Sequence, residues 1–130
     1  MAPPLSLPAR IGLAFSALLG LTFLAIGVAW LTVPSAAAGA LGASLLQGTG
    51  LATQVGDSAS FFLCAGFFLL YGALGRRAPW LMAGALLIGV VAPARIIAWA
   101  AHDAALTLGP IVIECVTFIV VALTARGLRP

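Results

Sequence analysis

Four long apolar runs make up most of this 130-residue chain: 11–33, 57–75, 79–101 and 105–125. Each matches the length of an α-helix rising about 1.5 Å per residue through a hydrocarbon core of about 30 Å. Strand-length alternation is absent, and lipid offers no partner to a free backbone amide, so only helices can carry these runs across. Charge argues the same way. Only 7% of the residues are charged and 63% are hydrophobic, whereas a water-facing domain carries roughly 25% charged residues. The chain cannot coat itself in polar surface. The expected fold is all-α: an integral membrane four-helix bundle, one domain over residues 1–130.

The arginines set a direction. Arg10 precedes the first run, Arg76 and Arg77 lie between the second and third, and Arg126 and Arg129 follow the fourth. All five fall on one side of a four-span topology, and the opposite loops carry none. The positive-inside rule then expects an N-in, C-in protein of the inner (cytoplasmic) membrane. The first run is about 23 residues, beyond the roughly 7–15 of a signal-peptide core, so it is expected to be a retained span. The arginines form no continuous basic stripe, so no nucleic-acid partner is expected. Two distant cysteines make neither a CxxC pair nor a zinc spacing.

Between the first two runs lies "PSAAAGALGASLLQGTGLATQVG", uncharged and rich in glycine and alanine. It reads equally as a flexible loop or as a short interfacial helix acting as a lid on the outer side. In the first run Gly12, Ser16 and Gly20 recur every four residues, with Gly27 a heptad further. That spacing lets helix backbones approach closely in lipid and predicts a contact face.

Three ionisable residues interrupt the apolar runs. Asp57 opens the second, Arg95 stands about six residues inside the outer end of the third, and Glu114 about nine residues into the fourth. A lone charge at such depth is costly, so these groups are expected to face the interior and pair. Helical spacing extends each into a stripe: Asp57, Ser60, Cys64 and Tyr71; Arg95, Trp99 and His102; Thr107, Pro110, Glu114 and Thr117. Together they predict a polar cavity opening outward. One guanidinium with two carboxyls leaves one carboxyl cheapest in its neutral form. Asp57, nearer water, is the expected counter-ion of Arg95, and the deeper Glu114 the expected neutral acid.

That arrangement suits cofactor-free acid–base chemistry on a lipophilic small molecule, isoprenoid- or polyketide-like, entering from the membrane lipid. Glu114 would be general acid, Asp57 general base or water-positioner, and Arg95 the orienting cation. Isomerisation, cyclisation or epoxide opening fit, with Ser60, Cys64, Tyr71, Trp99, His102 and Thr117 lining the substrate and no metal required. The Asp–Arg–Asp sites of limonene-epoxide-hydrolase-type enzymes offer a chemical analogy on an unrelated fold. Two other readings stand beside it. The trio could be helix glue in an accessory or assembly subunit, or the chain could be a small proton-coupled carrier acting as a homodimer. His102 and Asp103 read as an interfacial cap, Cys64 and Cys115 as buried inert thiols, and Trp30, Trp80 and Trp99 as interface anchors.

In three segments, "GDSASFFLCAGFFLLYGAL", "PARIIAWAAHD" and "IVIECVTFIVVAL", the chain resembles small four-span bacterial membrane proteins of the domain-of-unknown-function 4345 type, DoxX-like in outline. The likeness extends over roughly residues 10–125. It implies a four-helix bundle and the relevance of Asp57, Arg95 and Glu114, and it implies no particular reaction.

Overall fold

The computed structural model describes residues 5–128, and these are helical with no strand among them. There are five helices: α1 (Leu7–Thr32), α2 (Pro34–Ala40), α3 (Gly48–Leu74), α4 (Ala78–His102) and α5 (Leu108–Gly127). All but α2 are long and apolar enough to cross a membrane. At 1.5 Å per residue the 26 residues of α1 extend about 39 Å, several ångströms beyond a 30 Å core at each end. Arg129 lies outside the described residues.

Local chemistry sets the helix boundaries. The Ser6 hydroxyl accepts a hydrogen bond from the Ala9 amide at the start of α1. Val33, forced out of the helical region by the proline that follows it, ends α1 at φ −137°. Pro34 then supplies the first residue of α2, where its missing amide costs nothing. The segment between the first two spans therefore does contain a short helix, followed by an irregular stretch to Gln47.

The second span begins well before its expected start at residue 57. Helix α3 already runs from Gly48, so Asp57 lies in its third turn rather than at its mouth. Tertiary contacts hold this glycine-rich first part. The Gln54 side chain accepts from the Leu46 amide at 2.9 Å and donates to the Ser44 carbonyl at 3.0 Å, tying the loop to the helix. Val55 and Ala59 pack into a cluster with Trp30, Ala37 and Ala38. Trp30 is thus a buried core residue, 2% exposed, and not the interface anchor expected of it.

Close approaches of glycine fix the neighbours. A Cβ on Gly20 would meet the Gly66 carbonyl and the Leu70 amide nitrogen, and one on Gly27 would meet Leu63. Helices α1 and α3 therefore run antiparallel, backbone against backbone. Gly72 lies against Leu81 and Gly84 against Leu69, which turns α4 back along α3. Gly89 abuts the Phe118 ring, and Gly12 abuts the Thr124 side chain, which sets α5 beside both α4 and α1. The expected contact face of α1 is present: Gly12, Ser16, Gly20 and Gly27 are all buried.

Packing divides the molecule into two unlike halves. At the end carrying the first turns of α1, one core joins all four long helices, with Leu69, Leu81, Ile88 and Val121 at its centre and Leu13 and Ala17 packed against it. At the other end the core contains only α1, α2 and α3, centred on Trp30 and Ala59. Helices α4 and α5 take no part in it. Beyond Ala92 on α4, and until Thr117 on α5, no residue is buried. Pro93, where α4 lacks one backbone hydrogen bond, stands at this boundary.

Candidate functional site

Arg95 and Glu114 meet in the open half. They lie opposite each other on the antiparallel α4 and α5, about 10 Å and 9 Å along the helices from the connecting loop. Arg95 Nε donates to Glu114 Oε1 at 2.8 Å, the one ion pair among the described residues. The two members differ in exposure: the Arg95 side chain is 40% exposed and that of Glu114 only 14%. Glu114 Oε2 is buried and has no hydrogen-bond partner. One face of the guanidinium is thus committed to α5, and one carboxylate oxygen is held out of solvent with nothing to bind.

Asp57 does not join them. It is exposed on α3 and makes no side-chain hydrogen bond or ion pair among the described residues. This corrects the expectation that Asp57 would neutralise Arg95 and leave Glu114 as the unpaired acid. The reason lies in the face α3 turns inward. Ala59, two residues on, is buried against Trp30. Two residues on an α-helix are about 200° apart, so Asp57 points away from that contact.

The other residues of the expected α3 stripe follow Asp57. Ser60 and Cys64 are exposed, and Cys115 on α5 is exposed as well, so neither thiol is buried as expected. Tyr71 belongs to the opposite end of the molecule. Its hydroxyl accepts from Arg77, whose guanidinium carbon lies 4.5 Å from the ring centroid. Its ring stacks on Phe67 and meets Trp80 edge-on. Trp99 is 48% exposed, one turn beyond Arg95. His102 ends α4, and Asp103 closes it in the left-handed region at φ 55°. Thr117 is buried, 5% exposed, one turn below Glu114. The expected polar cavity therefore reduces to the Arg95–Glu114 pair with Thr117 beneath it.

An apolar groove takes the place of the rest. It runs between α3 and α4 with a volume of about 620 Å³, lined by Phe61 and Phe68 on one side and Ala83, Leu87, Val90 and Ala94 on the other. Volumes of about 300–1,000 Å³ are usual for small-molecule sites. Neither ionisable residue lines it: Arg95 follows Ala94 in sequence and turns to Glu114 on α5, and Asp57 lies one turn before Phe61 on α3. Phe61 and Phe68 were missed from sequence. Their spacing of seven, on one helical face, was the available signal.

Comparison with family models, with curated proteins and with solved structures gave no match to this chain.

Proposed function

We propose that this chain is a four-span bundle of the inner membrane, both termini cytoplasmic, that binds a lipophilic small molecule in the α3–α4 groove. The observation that carries this reading is the apolar α3–α4 groove of about 620 Å³, whose lining ends at Ala94, one residue before the half-exposed Arg95. The groove accepts a hydrocarbon body, and the guanidinium's remaining donors accept a carbonyl, hydroxyl or carboxylate head. The one-sided arginine distribution supports the orientation. Any catalysis is cofactor-free acid–base chemistry centred on Glu114, whose Oε2 has no competing partner and could exchange a proton with a bound molecule. Asp57, turned away, takes no direct part.

One observation favours a second reading. The Arg95–Glu114 pair is the polar link in a stretch of α4 and α5 that buries nothing else, so it clamps that hairpin whether or not a ligand is present. The two readings separate by experiment. The protein is purified in mild detergent, and co-purifying lipophilic compounds are identified by mass spectrometry, for the wild type, Ala83→Trp and Arg95→Lys. Groove binding requires that Ala83→Trp lose the compounds with its thermal stability kept, and that Arg95→Lys deplete them. Unchanged compounds in Ala83→Trp would remove the groove from consideration. A stability loss in Arg95→Lys with unchanged compounds would leave the clamp alone.

A further inference from the structure

We propose that the opposite end of the molecule holds a binding site for the phosphate-bearing headgroup of an anionic membrane lipid, with Arg10 and Arg76 as its ligands. A cavity of about 320 Å³ lies between the first turns of α1 and the last turn of α3. Arg10 and Arg76 are its charged residues, and Leu13, Ala14, Ala17 and Leu74 form apolar wall. Two guanidiniums over a hydrocarbon surface match a lipid, whose phosphate sits directly above its acyl chains. Because α1 outreaches the hydrocarbon core, Arg10, in its first turn, stands at headgroup depth.

Charge supports the assignment. The chain has three acidic residues, Asp57, Asp103 and Glu114, and all belong to the open half. The end bearing Arg10, Arg76, Arg77 and Arg126 has no carboxylate side chain to balance it. Arg77 is engaged by Tyr71 through both hydroxyl and ring. Arg10 and Arg76 form no side-chain hydrogen bond or ion pair among the described residues. Two cations that share a cavity and lack an internal anion make a ready phosphate site.

The backbone at Arg76 is a second, independent sign. Helix α3 closes with the Arg77 amide donating to the Gly72 carbonyl at 2.8 Å and the Arg76 amide to the Ala73 carbonyl at 3.3 Å. This closure places Arg76 in the left-handed region at φ 51°. Glycine is the usual residue there because it alone has no Cβ to clash. An arginine in that place bears a steric cost that helix closure does not require. Such strain raises the question of what the side chain does, and this side chain lines the cavity.

The test is a titration of purified protein in a maltoside detergent with phosphatidylglycerol, phosphatidylcholine or inorganic phosphate, read by thermal shift and native mass spectrometry. Phosphatidylglycerol should bind and raise the unfolding temperature, while phosphatidylcholine and millimolar phosphate should not. Arg10→Gln should weaken phosphatidylglycerol binding about tenfold or more, the loss of one charge-assisted hydrogen bond. Arg76→Gly should do the same while its lipid-free unfolding temperature holds or rises, because the strain is relieved. Arg126→Gln, at the same end and outside the cavity, should bind as the wild type does. An equal loss in Arg126→Gln would overturn the site in favour of diffuse surface attraction. An equal response to inorganic phosphate would overturn the lipid as its ligand, and undiminished binding in both Arg10→Gln and Arg76→Gly would overturn the proposal outright.

Discussion

Replacing Gly20 by alanine adds one methyl group at the point where α1 and α3 come closest. The new Cβ would stand 2.8 Å from the Leu70 nitrogen and 2.9 Å from the Gly66 oxygen. Both are backbone atoms, so no side-chain rotation relieves the contact. Reaching ordinary contact at 3.4 Å requires the helices to part by about 0.6 Å. A gap of that size forfeits roughly a quarter or more of each dispersion contact it opens, and overpacking of this kind costs about 1–3 kcal/mol. Alanine's better helix propensity returns at most about 1 kcal/mol, and less in lipid, where an isolated span is already helical. The net expectation is a loss of about 1–2 kcal/mol. Gly56→Ala is the matched control: it lies inside α3 with nothing within 4 Å of the added Cβ, so it should be neutral or slightly stabilising. Unfolding in mixed micelles by added dodecyl sulfate, followed by tryptophan fluorescence, measures both. Trp30, in the core between these helices, reports their separation. If Gly20→Ala proves as stable as Gly56→Ala, backbone contact at Gly20 and Gly66 does not hold α1 to α3, and the placement of the groove-forming helix loses its basis.

Two further outcomes follow from the open half. Glu114→Gln should cost about 1–2 kcal/mol in the same assay, the low part of the range for a charge-assisted bond because Arg95 is 40% exposed. Asp57→Asn, which breaks no contact, should stay within about 0.5 kcal/mol of wild type; a larger loss would show that Asp57 has a partner after all. Cys64 and Cys115, exposed on the surface of the spans and so facing lipid, should each accept leucine with stability within about 0.5 kcal/mol of wild type in the same assay, and an overpacking loss of about 1–3 kcal/mol at either would contradict its outward placement.

The spans were legible because hydropathy averaged over some twenty residues is a robust signal, and the α1 contact face was legible because it was read from side-chain size. The start of α3 was not. The stretch from Gly48 to Gly56 is uncharged but glycine-rich, and its helix depends on Gln54 gripping the loop just before it and on Ala59 meeting Trp30 of another helix, contacts that helix propensity does not encode. The polar stripe on α3 misled for a related reason. In water, polarity separates outside from inside. In a membrane both the lipid and the protein interior are apolar, and helices associate where small residues allow backbones to approach. Ala59, Ala65, Gly66, Leu69, Gly72 and Ala73 are the buried residues of α3, and all but one are alanine or glycine. Asp57, Ser60 and Cys64 were placed inward by polarity, whereas the alanine and glycine face of α3 turned inward and left them outward.

The same reasoning explains why Arg95 and Glu114 were expected to face one another's helices, although the counter-ion expected for Arg95 was Asp57 and the structure pairs it with Glu114. A charge in lipid is stabilised by an opposite charge within reach, and the antiparallel turn from α4 to α5 sets positions 95 and 114 opposite each other whatever α3 does. A third ionisable residue at similar depth need not join. Asp57 would reach the pair only if the open half closed, bringing α3 against the ends of α4 and α5 that now bury nothing. A ligand in the α3–α4 groove fills the space between those elements, and an acceptor group on it would satisfy Arg95 without Asp57. An empty groove leaves Asp57 as the nearest anion on α3. Asp57 makes no contact with Arg95 in this structure, so Asp57→Asn should leave both the stability of the protein and the retention of a groove-bound molecule unchanged in the two assays above, and a changed retention would show that Asp57 competes for Arg95.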